Sequence, residues 1–149
     1  MNPYIRFALM LLTSGLLMYG LMYLHTYETG HVFFSQTRAW MTVIMVAGMA
    51  VVMLGFMWGM YKDKRLNVSI LGLAVAVFAG SLWLVRSQST VDDVSYMKAM
   101  IPHHSIAILT SKRARIDDPR VRELADDIIA AQEREIAEMK ALIDDLESR

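Results

Sequence analysis

Met97-Lys98-Ala99-Met100-Ile101-Pro102-His103-His104 places two thioethers and two imidazoles within eight residues. Soft thioethers combined with neutral imidazole suit Cu(I). On a helix, Met97, Met100 and His104 stand at i, i+3 and i+7 and share one face. His103 lies about 100° round from His104, so one helix does not aim both rings at a single ion. One imidazole would bind while the other supports it, contacts a carboxylate or reaches a second chain. The plainer reading is two satisfied histidines at a proline kink among core methionines.

Further candidates lie on either side of this run. Downstream, Glu135 and Met139 can face the cluster from an antiparallel helix, with Gln132 one turn away as a hydrogen-bonding support. Upstream, His25, Glu28 and His31 form a sparse set that reads either as an accessory site or as exposed loop residues without a role. The chain has no cysteine. Disulfides and thiolate sites are excluded, so His, Met, Asp, Glu and backbone are the ligands on offer.

Three apolar runs precede the cluster, at about residues 5–23, 40–61 and 68–85. A bilayer core of ~30 Å needs ~20 helical residues, and backbone in lipid must satisfy itself, so all three are expected to be transmembrane helices. Lys62-Asp63-Lys64-Arg65 is the densest short basic loop and belongs in the cytoplasm by the positive-inside rule. The N-terminus then lies inside, while the loop Leu24–Ala39 and everything after Arg86 lie outside. Tyr23, Trp40, Trp58, Tyr61 and Trp83 fit an interfacial belt. The first span is expected to remain as an anchor and not to be cleaved as a signal peptide. Zero net charge hides an asymmetry: residues 1–89 balance at +4 and the rest at −4. No basic stripe is available for nucleic acid.

Gly55 and Gly59, and Gly72, Ala76 and Gly80, are spaced for close helix packing within or between chains. Met41, Met45, Met49, Met53 and Met57 recur every four residues in the second span. They resemble in outline the Met-x-x-x-Met and Gly-x-x-x-Gly pairing of eukaryotic-type copper uptake channels, with the opposite expected topology. A Cu(I)-conducting oligomer is one reading of this ladder. However, a four-residue period drifts ~40° per step, and methionine is a flexible gap-filler.

A linker at 87–91 leads into a C-terminal domain spanning 92–149. Thr90 and Asp93 read as a capping pair, opening a helix from about Val91 to Arg115 that is interrupted or kinked at Pro102. Asp118-Pro119 reads as an N-cap and first helical residue, starting a helix that runs to about Glu147. Val121, Ala125, Ile128, Gln132, Glu135, Met139, Leu142 and Leu146 form its heptad seam, with Ile129, Ile136 and Ile143 beside it. Gln132 and Glu135 are polar on an otherwise apolar seam, setting register or supporting a ligand. Two helices of this size do not enclose a core, so a homo-oligomeric four-helix bundle is expected.

The run Tyr96-Met97…Met100-Ile101-Pro102-His103-His104-Ser105-Ile106-Ala107-Ile108, followed by Asp118-Pro119 and by Ala130-Ala131-Gln132-Glu133-Arg134-Glu135-Ile136-Ala137-Glu138-Met139, resembles the ferritin-like family called domain of unknown function 305. The resemblance covers about residues 92–147. Family members are mostly exported bacterial proteins, some tied to copper handling and resistance. The resemblance implies His103, His104, Met97, Met100 and Met139 as metal ligands, copper as the ion and a bacterial inner membrane with the tail in the periplasm. Leu109 stands where the family commonly has a methionine, and the chain has one hairpin where many members have more.

Together these readings give an all-α protein: three spans and an extracytoplasmic helical hairpin that sequesters or hands over Cu(I). A structural, oligomerising membrane protein without metal is the alternative. Di-iron oxidase chemistry wants Glu-x-x-His motifs paired on facing helices; the one Glu-x-x-His here, Glu28-Thr29-Gly30-His31, stands alone in the loop between the first two spans, so no enzymatic activity is expected.

Overall fold

A computed structural model describes residues 2–148. It is all-α, with five helices: α1 Pro3–Leu21, α2 Gln36–Phe56, α3 Lys64–Ser87, α4 Asp93–Arg113 and α5 Pro119–Glu147. Short 3-10 turns, Thr29–His31 and Trp58–Met60, punctuate the loops before and after α2. The chain divides into two compact units. One contains residues up to Met22 with Thr37–Thr90, and the other contains Tyr23–Gln36 with the residues from Val91 onward.

The first unit holds the three apolar helices, each long and apolar enough to cross a membrane. Most of their large side chains lie on the outside, with Leu12, Leu16, Phe56 and Leu73 all more than half exposed. That inversion of a water-soluble core is what a lipid-facing surface requires. The protein is therefore a membrane protein whose three spans contact the bilayer. Caps, and not the points where hydrophobicity stops, set the start of α1 and both ends of α3. The Asn2 side chain accepts from Tyr4 N at 2.9 Å, which starts α1 two residues early. Asp63 accepts from Arg65 N and Leu66 N, both at 3.0 Å, pulling the start of α3 back into the basic loop. Gln88 closes α3 in the left-handed region at φ 52°, its N–H donating to Leu84 O at 3.0 Å. Residues expected as linker thus serve as a C-cap.

Phe7, Ala50, Leu54, Tyr61 and Ala74 form the small core of this unit. Fully buried Asn67 joins its ends: Nδ2 donates to Tyr61 O at 3.0 Å, and Tyr4 OH donates to Oδ1 at 2.9 Å. The small residues expected to mediate packing do not do so within the chain. A Cβ on Gly55, Gly59, Gly72 or Gly80 would meet nothing within 4 Å. Gly15 makes the close approach instead, because a Cβ there would stand 2.9 Å from Val46 Cγ2. The methionine ladder also divides. Met41 and Met45 are exposed, whereas Met53 and Met57 pack against the core, as the ~40° drift per step dictates.

The second unit is built on the α4–α5 hairpin. Asp92, and not Thr90, caps α4 by accepting from Ser95 N at 2.7 Å. Pro102 lies buried inside the helix without ending it. Asp118 caps α5 as its sequence predicts, accepting from Arg120 N at 2.9 Å ahead of Pro119. Met97, Ile101, Ile108, Ile136 and Ile143 form the core.

Two expectations change here. The α5 residues turned fully inward are Ala125, Ile136 and Ile143. The isoleucine repeat thus faces α4, while Val121, Leu142 and Leu146 of the expected seam stay exposed. Nor is the hairpin left without a cover inside its own chain. Tyr27 and Phe33, from the segment between α1 and α2, pack onto its core and supply a third layer.

Candidate metal centre

His104 sits on the α4 face that looks along α5, with its side chain 12% exposed. Its Nδ1 lies 3.0 Å from Met100 O, one turn back on the same helix. A carbonyl oxygen only accepts, so Nδ1 carries a proton. That bond fixes the ring and directs Nε2 towards α5, where Glu135 Oε2 stands 2.7 Å away. Two acceptors cannot share this contact, so one proton is held between Nε2 and the carboxylate.

Around the pair is a groove of about 560 Å³ walled by Met97, Met100 and Met139 as well as His104 and Glu135. Asp93, Glu138 and Asp145 add carboxylates to its lining, and Tyr96, Leu142 and Leu146 add apolar surface. Met97 is buried, and Met100 and Met139 are half-buried. Helical spacing explains the convergence: positions 97, 100 and 104 on one helix meet 135 and 139 on its antiparallel neighbour. One imidazole, three thioethers and four carboxylates thus line one cavity. The thioethers and imidazole are donors of the kind that suit a soft ion, and the carboxylates beside them are hard donors. Among the described residues, no three His, Cys, Asp or Glu side chains converge into a site of the harder kind.

His103 is not part of this constellation. It is exposed, its ring stands edge-on to His104 with centroids 6.1 Å apart, and it does not line the groove. Gln132 is half-buried and also stands outside the groove lining.

The upstream trio separates as well. His31 is buried, His25 and Glu28 are exposed, and the three do not gather into a cluster. His31 Nδ1 lies 3.0 Å from Ser105 Oγ, and its Nε2 is 3.6 Å from Glu28 Oε2. Ser105 Oγ also accepts from Tyr27 N at 2.7 Å, which leaves its own proton for His31. Burial holds the His31 pKa below the ordinary 6.5, with Lys140 lowering it further against the opposing charge of Glu28. Lys112 completes the attachment, its Nζ standing 4.7 Å from the Tyr27 ring centroid and 2.7 Å from Glu133 Oε1. Ser105 and Tyr27 are the structural residues that sequence reasoning missed. Ser105 lies beside the histidine pair, but its partners are 74 and 78 residues away and no local pattern announces them.

Three candidate spans and a two-helix unit with a His–Glu pair among thioethers define a membrane-anchored helical-hairpin protein. Residues 93–149 match the family described as Domain of unknown function (DUF305). The chain is also 34% identical over 105 residues to the uncharacterized protein L153 of Acanthamoeba polyphaga mimivirus, which covers 69% of this chain and 68% of that protein. The chain belongs to the same family as that viral protein and carries a DUF305 domain at its C-terminal end. No solved structure matches it.

Proposed function

We propose that this protein holds Cu(I), or an ion of similar softness, in the groove between α4 and α5, for sequestration or hand-over. The observation that carries the reading is the fixed His104 tautomer. With Nδ1–H committed to Met100 O, Nε2 faces Glu135 at the edge of a cavity lined by three thioethers, and loss of the shared proton frees its lone pair for a metal. Met97, Met100 and Met139 would supply sulfur. Glu135 would give up its contact with Nε2 and stay as a neighbouring negative charge that offsets the ion. Metal uptake then displaces one proton per site.

The basic loop Lys62–Arg65 supports a cytoplasmic N-terminus and an extracytoplasmic second unit, the bacterial inner-membrane and periplasmic arrangement that the family resemblance implies. A second copy of the chain completes a four-helix bundle over the open groove. A non-metal reading has one observation in its favour: His104 and Glu135 already satisfy each other and tie α4 to α5 without an ion.

Copper per chain separates the two readings. The full-length protein, its His104→Ala variant and its His103→Ala variant are loaded with Cu(I) under reducing conditions and desalted. The metal reading expects about one ion per chain in wild type and His103→Ala, with loss in His104→Ala. Equal copper in wild type and His104→Ala refutes it.

A further inference from the structure

The heptad seam of α5 has an order of its own, with its ends exposed and its middle half-buried. Val121, Ala125, Ile128, Gln132, Glu135, Met139, Leu142 and Leu146 alternate steps of four and three, the 3.5-residue period of supercoiled helix pairs. Within the chain, α5 meets α4 through the neighbouring Ile136 and Ile143. The seam's ends stay open, with Val121 49%, Leu142 46% and Leu146 37% exposed. A seam with this period is shaped for another helix of the same period.

Its polar residues specify which helix and which direction. Gln132 and Glu135 flank the midpoint of the seam. An antiparallel two-fold axis through that midpoint sets Gln132 opposite Glu135 of a second α5, Ile128 opposite Met139 and Val121 opposite Leu146. Each of these apolar layers meets an apolar layer, while Ala125, buried against its own chain, stays out of the contact. The single charge in the seam meets an amide that can donate to it. A parallel pairing instead sets Glu135 against Glu135, and like charges in contact cost several kcal/mol. Flanking groups agree, because the antiparallel arrangement puts Glu138 near Ala131 and Asp145 near Leu124 and apposes no two carboxylates.

We propose that a second copy of this chain packs antiparallel along α5 in this register, its Gln132 amide donating to Glu135. One Glu135 oxygen is occupied by His104 at 2.7 Å, and the amide takes the other. The partner's amide thereby becomes part of the site and holds the carboxylate that faces the imidazole. This register rests on the reading that a second copy completes the bundle, and it is independent of the metal.

Because the sequence has no cysteine, introduced thiols report the register directly. Full-length Val121→Cys and Leu146→Cys chains, in detergent micelles, are treated with a short bis-maleimide singly and after mixing and exchange. The two positions are about 38 Å apart along one helix, which excludes a link within a chain. The expected result is a dimer band in the mixture and none in either single variant. Self-linking of the single variants overturns the register while leaving the completed bundle standing. Light scattering that gives one chain per micelle overturns both. A charge exchange supplies the second test. Gln132→Glu should raise the dimer dissociation constant at least about tenfold, and adding Glu135→Gln should restore it to within about threefold. Absence of that restoration overturns the Gln132–Glu135 contact. Copper per chain, measured on the cross-linked Val121→Cys/Leu146→Cys dimer, distinguishes failure of the metal reading from failure of this one.

Discussion

Ser105→Ala is the sharpest test of how the segment between α1 and α2 is held on the hairpin. Ser105 is completely buried and serves two groups: it accepts from Tyr27 N at 2.7 Å and pairs with His31 Nδ1 at 3.0 Å. Alanine keeps nearly the same volume, so no sizeable cavity forms and the cost is almost wholly polar. Leaving a buried donor or acceptor unsatisfied costs about 1–3 kcal/mol. Two such groups give roughly 2–4 kcal/mol, since His31 can recover part by changing tautomer. The loss falls on docking of residues 23–36 and not on the helices, whose own hydrogen bonds are untouched. At about 1.4 kcal/mol per tenfold, loop opening should rise by at least ~30-fold. Hydrogen exchange reads this directly: the Tyr27 amide should exchange at least about 30-fold faster in Ser105→Ala, while amides near Ile136 and Ile143 change little. A Tyr27 rate within about twofold of wild type would refute the reasoning, because the bond to Ser105 would then contribute nothing to closure.

Three other outcomes follow from single features. Folding keeps His31 neutral by lowering its pKa below 6.5, so an open loop takes up a proton more readily than a closed one. Closure is therefore complete above about pH 6.5 and weakens as the pH falls through 6.5 towards the lowered folded value. Limited proteolysis within residues 23–36 should accelerate on acidification in wild type and lose that dependence in His31→Gln. In the first unit, Gly15→Ala should destabilise by about 1–3 kcal/mol, because its Cβ would stand 2.9 Å from Val46 Cγ2. Gly55→Ala, which meets nothing, should be neutral or gain up to ~1 kcal/mol, and resistance to unfolding in mixed detergent ranks the two. Asp118→Ala removes the N-cap of α5 and should cost ~1 kcal/mol, visible as a lower melting temperature of the helical signal.

Composition and local chemistry made much of this protein legible. Three apolar runs could only be helices, because nothing else satisfies backbone in lipid. Asp118-Pro119 marked the start of α5 because an N-cap followed by proline leaves little else to do. The face shared by Met97, Met100, His104, Glu135 and Met139 followed from helical spacing and one antiparallel turn. Long-range relations were invisible. The attachment of Tyr27 and His31 to Ser105 spans more than seventy residues and has no periodic signature. The division of α5 was hidden for another reason. Its apolar face is too broad for pattern alone to say which half meets α4, and the isoleucines won because they pack against Ile101 and Ile108. Gly15 was overlooked since close helix approach needs one glycine in the right place, and the repeated spacings drew attention elsewhere.

Consecutive residues on α4 connect the two sides of the hairpin. His104 and Ser105 are about 100° apart round the helix. His104 therefore turns to the groove and Ser105 to the covering segment. The same turn of backbone is held from both directions, by Met100 and Glu135 on one side and by Tyr27 and His31 on the other. Binding geometry is only as exact as the groups that support it, and here the support for the imidazole includes a segment from before α2. Tyr27 and Phe33 occupy one face of the hairpin, and the groove that holds the thioethers and the His–Glu pair lies open on another.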